Sequence, residues 1–345
     1  MSTTTTDRTS AAWRSAVAPF QHADTRRSAW QLINSAVPYA ALWVLMYLSL
    51  SVSYWLTLAL AVLASGFMMR LFIIFHDCGH GSFFTSQRAN DITGIITGIV
   101  TLTPYYDWRH AHAIHHATSG DLDRRGGGDV WTMTVDEYLA APWWKRVAYR
   151  VFRFPPMMFG LGPTFIFLLV QRFPSTSSKD ARERHSAYWT DLALLIIFLL
   201  FVVTVGWQAF ALIQLPIVVI GGAAGVWMFY VQHQFEGMVW ERHDKWNYVT
   251  AALQGSSFYK LPRVLQWFTG NIGFHHIHHL SPRIPNYNLE PCHNSSPLFQ
   301  AVKPITVLSS RKSLKLRLWD ERAHCLVGFS VIKQRRAEQQ ESAVA

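Results

Sequence analysis

Charge is scarce in this chain. Only 15% of its 345 residues are Asp, Glu, Lys or Arg, against about 25% in a soluble globular protein. Half are hydrophobic and the mean hydropathy is positive, so a membrane class has to be tested first. Cysteine is nearly absent too: Cys78, Cys292 and Cys325 lie far apart without paired spacing. That excludes a disulfide framework and fits reduced thiols on a cytosolic side. Residues 1–28 lack an apolar core, which excludes a cleaved secretory signal. Rich in Ser, Thr and Arg, they read as a short solvated arm in preference to a transit peptide. The net charge is +10, but the basic residues form no single patch interleaved with aromatics, and nucleic acid is excluded as a partner.

What the chain does have is long apolar runs. Four approach the roughly twenty residues a bilayer requires: residues 37–52 (with Trp30 as an earlier possible start), 54–75, 191–207 and 210–231. The first two are separated only near Ser51–Ser53 and the last two only near Gln208, so each pair reads as a tight hairpin. Of the 31 Lys and Arg, four precede Val37, twelve lie between His76 and Ala187, and fourteen follow Val231; neither hairpin tip carries one. Under the positive-inside rule, both termini and the long segments face the cytosol. The run at 92–103 is too short to cross. The stretch 143–173 mixes Arg146, Arg150, Arg153 and Arg172 with aromatics and prolines; interfacial structure along the bilayer and a buried cap helix are equally compatible with it. Gly221 to Gly225 give the fourth run a small-residue face that close helix packing explains.

Sixteen histidines are present, and their spacing is more telling than their number. His76 and His80 are separated by four. His112, His115 and His116, like His275, His278 and His279, follow an i, i+3, i+4 pattern. On a helix these offsets share a face, so each cluster is expected to aim its imidazoles at one point. Protonated rings at such distances would repel one another, whereas neutral, metal-bound rings are stable. Eight ligands exceed what one zinc ion takes and suffice for two metals. Imidazole alone does not choose among Zn, Cu, Fe and Ni; the setting under a bilayer, without hydrolytic machinery, favours iron.

The strings HDCGH, HAIHH and HHIHH, in this order and spacing, resemble the three histidine boxes of the membrane fatty-acid desaturase family. The longer strings HDCGHGSFF, WRHAHAIHHATSGDLDRRGGGDVWT and GNIGFHHIHHLSPRIPNYNL look like its acyl-lipid, omega-6 (Δ12-type) branch. The likeness runs from about Leu71 to Pro291. It implies an all-α integral membrane fold: four transmembrane helices in two hairpins, with a helical cytosolic cap carrying the boxes. The implied cap is residues 76–187 and 232–310, within a single membrane domain (37–345) after an N-terminal arm (1–36) and ending in a basic tail (311–345). The resemblance further implies two iron ions, O2 as co-substrate and insertion of a cis double bond into a membrane-lipid acyl chain, oleoyl in this branch. A ninth ligand, His233 in VQHQF, matches the extra histidine that family members use; a helix-end histidine bonding the last carbonyls is the plainer alternative. His110 and His276 lie out of register, and His22, His185, His243, His293 and His324 read as ordinary residues.

Metal-bound imidazoles need their second nitrogen anchored. Asp77, Asp107, Asp121, Asp129, Glu236 and Asn271 form the pool for that role, with helix capping a competing role for Asp107. Trp108, Trp131 and Phe274 are candidates for a substrate channel or for packing in the cap. Electrons must come from an external carrier, because no HPGG motif of a fused cytochrome b5 is present; ferredoxin or a separate cytochrome b5 is implied. The basic cytosolic face suits an acidic carrier and equally the headgroups of the lipid bilayer. A bacterial inner membrane is the expected location. Rival readings with the same chemistry are a hydroxylase, an epoxygenase and a carotenoid ketolase. A histidine-gated metal transporter is disfavoured, since no charged residue or histidine lies at mid-depth in the four runs.

Overall fold

The computed structural model describes residues 12–126 and 128–344. Four helices are long and apolar enough to cross a membrane: α1 (Thr25–Ser49), α2 (Tyr54–Gly79) and, after the short helices α3 (Gln87–Val100), α4 (Tyr105–Thr118) and α5 (Trp143–Phe152), α6 (Ala181–Val205) and α7 (Trp207–His233). α1/α2 and α6/α7 are the two expected hairpins. Beyond α7 come small elements, among them α8 (His275–Leu280) and α9 (Asn286–Asn294). Sheet among the described residues is confined to two pairs of three-residue strands: Phe258–Lys260 with Pro304–Thr306, and Leu318–Asp320 with Cys325–Val327.

The spanning helices extend past the apolar runs that announce them. α1 begins where the Asp24 side chain caps the amides of Arg26 and Arg27, and its first turns turn Ser28, Gln31 and Ser35 inward, buried. Polar residues facing the protein instead of lipid hid this part of the helix from hydropathy. α2, the most enclosed span, runs on through His76 and Asp77. α6 starts well before residue 191, at a capping box made by Asp180 and Glu183. The α6/α7 turn falls at Gly206, where φ is +87°, a conformation costly for any residue with a Cβ. Gly221 lets Met68 of α2 approach so closely that a Cβ there would stand 2.3 Å from the methionine methyl, in agreement with helix packing.

The stretch 143–173 is neither a straight surface helix nor a core helix. α5 and the helical segment Met157–Arg172 meet at 63°, at the Pro155–Pro156 pair. Trp143, Trp144, Val147 and Val151 are exposed along α5. Because α6 and α7 form a hairpin, α6 starts at the end where α7 finishes, which is also where α4 lies; the bent pair therefore leaves and returns to one side. Arg153, fully buried at the bend, donates to Gln234 Oε1 (2.9 Å) and to the Leu316 carbonyl (2.9 Å), tying the bend to the cap.

One expectation needs correction. The arm is not simply solvated: residues 1–11 lie outside the described residues, but Val17 is buried and Trp13 and Phe20 pack on the central hydrophobic cluster. Within the basic segment after residue 311, Trp319 is 1% exposed and packs against Trp240, Leu122 and Met238. Apolar residues within basic sequence carry both contacts, and a charge count does not see them.

Candidate metal centre

Four elements bring nine histidines together. α2 contributes His76 in its last turn and His80 at its C-cap; α4 contributes His112, His115 and His116. His233 is the last residue of α7, and α8 contributes His275, His278 and His279. Helix α8 has six residues, too few for stability in isolation. It is pinned by the Ser257 carbonyl accepting from His276 N (3.2 Å) and by Tyr248 Oη donating to the His279 carbonyl (2.7 Å). Just before it, Gly273 runs so close to the strand at Tyr259 that a Cβ would stand 2.3 Å from that carbonyl oxygen.

The nine rings form two groups. One holds His76, His80, His112, His116 and His278; the other holds His115, His233, His275 and His279, and within each the candidate donor atoms all lie within 4.8 Å of one another. The clusters in sequence are therefore not the clusters in space. At about 100° per residue, an i, i+4 pair lies within about 40° on the helix while i+3 falls to the side. His112 and His116 go to the first group and His115 to the second; His275 and His279 go to the second and His278 to the first. The groups adjoin, with the His116 and His279 rings stacked at 4.2 Å.

The donor set fits metal ions. Nε2 atoms face each other at 3.2 Å (His115–His233), 2.9 Å (His275–His233), 3.1 Å (His116–His112) and 3.0 Å (His278–His116). Nitrogens bound about 2.1 Å from one ion stand roughly 3.0–3.4 Å apart. The buried Nε2 atoms of His80 and His279 have no hydrogen-bond partner among the described residues, at a cost of about 1–3 kcal/mol each if left unsatisfied. Burial first, and then the neighbouring imidazoles, hold His80, His112, His116, His275, His278 and His279 well below the ordinary histidine range. Neutral rings keep the lone pair a metal requires.

Of the six side chains expected to anchor these rings, two reach them. Asp77 Oδ1 lies 3.2 Å from His76 Nδ1, and Asp129 Oδ1 lies 2.7 Å from His115 Nδ1. The other four bond elsewhere. Asp107 accepts from Ser175 N (3.1 Å) and from the Ser178 hydroxyl; Asp121 pairs with His243 and Arg124. Glu236 is exposed and pairs with Lys312, and Asn271 holds the Asn286 carbonyl (3.2 Å). Nearness in sequence to a histidine did not select the side chain that faces it. Among the aromatics, Trp108 stacks on His112 at 4.3 Å. Phe274 stacks on Phe258 instead, and Trp131 lines a cavity of about 620 Å³ with Arg125, Glu137 and Lys145 that none of the nine histidines lines. His110 pairs with Glu183 (3.0 Å) and His276 with His293 (3.1 Å), outside both groups. Sequence reasoning missed Asn286, which grips Asp77 with two N–H groups; nothing local signals a contact spanning 209 positions.

Comparison with known proteins agrees with this geometry. The fatty acid desaturase family model matches residues 53–303. A fatty acid desaturase of Bacillus subtilis (strain 168) is 51% identical over 92% of this chain and 90% of its own length. An sn-1 oleoyl-lipid 12-desaturase of Synechocystis is 27% identical over 65% of the chain and 63% of its own length. A chloroplastic sn-2 acyl-lipid omega-3 desaturase (ferredoxin) of Helianthus annuus is 27% identical over 68% and 54%. With four apolar helices and two histidine groups able to hold metal, the chain belongs to the fatty acid desaturase family.

Proposed function

We propose that the chain is an acyl-lipid desaturase that holds two iron ions and uses O2 and two external electrons to place a cis double bond in a membrane-lipid acyl chain. The observation that carries this is the pair of adjoining, buried histidine groups at the ends of α2 and α7. His76, His80, His112, His116 and His278 would hold one iron, and His115, His233, His275 and His279 the other. Bound iron would supply the activation of oxygen: two C–H bonds break, and with two electrons and two protons O2 leaves as two waters.

The protein's own contribution is positioning. The buried, neutral imidazoles present lone pairs, and Asp77 and Asp129 fix the two rings they face. Phe75 and Trp108 build an apolar wall beside His76 and His112, which excludes water from that side. Since chain carbons are chemically alike, the held geometry decides which bond reacts. An acyl chain can approach laterally, because the histidines start where spanning helices end. Placement of Lys and Arg outside the hairpin tips supports a site and termini on the cytosolic side; a bacterial inner membrane is the proposed location, in keeping with the 51% identical Bacillus relative.

The finer reading is a Δ12 (omega-6) bond in an oleoyl chain. It draws on the oleoyl-lipid relatives at 26–27% identity, whereas the name of the 51% identical relative states no bond position. A separate carrier of the ferredoxin class, or cytochrome b5, would deliver the electrons; the ferredoxin named for the sunflower relative and the basic cap support the first. The test is expression in a host lacking polyunsaturates, followed by gas chromatography and mass spectrometry of the fatty esters. Linoleate is the expected product. A bond at another carbon would overturn the regiochemistry alone, and a hydroxylated product would overturn desaturation. Feeding oleoyl lipid and oleoyl thioester separately separates the carriers, and product from the thioester alone would overturn the lipid substrate.

A further inference from the structure

The two carboxylates that face histidines of the two groups, Asp77 and Asp129, are held in different ways, and one is held by residues with no role so far. Asp77 is 1% exposed, and a carboxylate so placed requires donors for its remaining lone pairs. It finds them on Asn286: the backbone N–H donates to Oδ2 at 2.7 Å and the side-chain Nδ2–H donates to the same oxygen at 2.8 Å. Asn286 is the first residue of the nine-residue helix α9, where backbone N–H groups have no partner within the helix and the dipole favours negative charge. The amide is itself oriented. Gln31 of α1 donates from Nε2 to Asn286 Oδ1 at 3.0 Å, which leaves Nδ2 for the carboxylate, and Asn271 Nδ2 donates to the Asn286 carbonyl at 3.2 Å. Gln31, Asn286, Asp77 and His76 are all at most 5% exposed.

We propose that Asn286, oriented by Gln31, is a positioning residue: it locks Asp77 so that His76 keeps Nδ1 on the carboxylate and presents Nε2 to the five-histidine group. The first spanning helix thereby reaches the metal centre through Gln31–Asn286–Asp77–His76, although no histidine of either group lies on it. The inference rests on the reading of the two groups as metal sites and not on the identity of the metal or on the reaction. Loss of the amide leaves Asp77 with one N–H donor in place of two and free to turn, so the five-histidine site weakens while the four-histidine site keeps its affinity.

Cobalt(II) titration of the full chain, stripped of metal in detergent and followed by its visible absorption, tests this without turnover. Wild-type protein is expected to bind two ions. Asn286→Ala is expected to weaken one step by about 10- to 100-fold and leave the other unchanged. Gln31→Ala should weaken the same step less, and Asn286→Ser, which can still donate, should restore part of the loss. Gln31→Ala keeps the test alive should Asn286→Ala fail to fold. Unchanged affinity at both steps would overturn the proposal. So would equal weakening of both steps with a fall in melting temperature, the mark of a merely structural residue. Wild-type protein that takes up two cobalt ions yet purifies with another metal than iron would refute the proposed di-iron function and leave this relay standing.

Discussion

The two histidine groups adjoin, yet they are built on unequal foundations. In the five-histidine group the anchoring carboxylate sits in the last turn of α2, is sealed from solvent, and is gripped by Asn286 from a second helix. In the four-histidine group the anchor is Asp129, whose side chain is 16% exposed on a loop after α4. Among the described residues its other oxygen meets only a long contact from Gly126 N, 3.4 Å. Gly126 and Gly128 on that loop have φ of +111° and +83°. The contrast teaches that equal chemistry in the first layer of ligands does not imply equal rigidity behind it. One ring is fixed from a buried helix end, and the other from a partly exposed side chain on a loop.

Removing a ligand is expected to have the largest effect and to erase the contrast. Alanine at His112 or at His275 should lower desaturation by more than about 100-fold, beyond the loss typical of an outer partner, with iron lost on metal analysis. Alanine at His110, whose ring pairs with Glu183, should leave activity within a few-fold. Near-normal turnover at two or more of the nine ligand positions would contradict the assignment.

The carboxylates sharpen the comparison. Asp77→Asn should cost towards 100-fold in affinity for one metal, because a buried amide then faces the two N–H donors of Asn286 as well as His76. Asp129→Asn should cost nearer 10-fold, since its partly exposed side chain leaves the amide access to solvent. Competition with a chelator measures both, and the reverse order would break the contrast. Among the changes expected to disturb a site, the smallest effect is expected at Gly128→Ala. A left-handed conformation costs about 1–2 kcal/mol for an alanine, and a Cβ there would press on that of His115 at 3.3 Å. Metal release from the four-histidine group alone should quicken several-fold; no change, or equal change at both sites, would show that the loop does not govern that site.

How much of this was legible beforehand depended on the range of each interaction. The four spans and eight of the nine grouped histidines could be read because hydropathy and helical spacing are local properties; His233, alone in VQHQF, was legible only through the family resemblance. The division into two groups was legible only in part: helical angles set His115 apart from its neighbour His116, but which rings of the other helices each one joins depends on how α4 meets α2, α7 and α8. The anchors were half legible. Asp77 and Asp129 were among six acidic or amide side chains near the histidines, but burial and the direction of the chain decided which two would face a ring. Asn286 and Gln31 lay beyond reach, being 255 positions apart. The early start of α1 was hidden because Ser28, Gln31 and Ser35 face protein, where polarity says nothing about lipid.

The most direct test of the central claim is metal stoichiometry of the full chain purified in detergent, compared with the chain carrying His233→Ala. His233 serves only the four-histidine group. The account predicts two irons per wild-type chain and about one in the variant, with the five-histidine site still filled. Stoichiometric zinc without iron in active protein, or a single metal in wild type and variant alike, would contradict it.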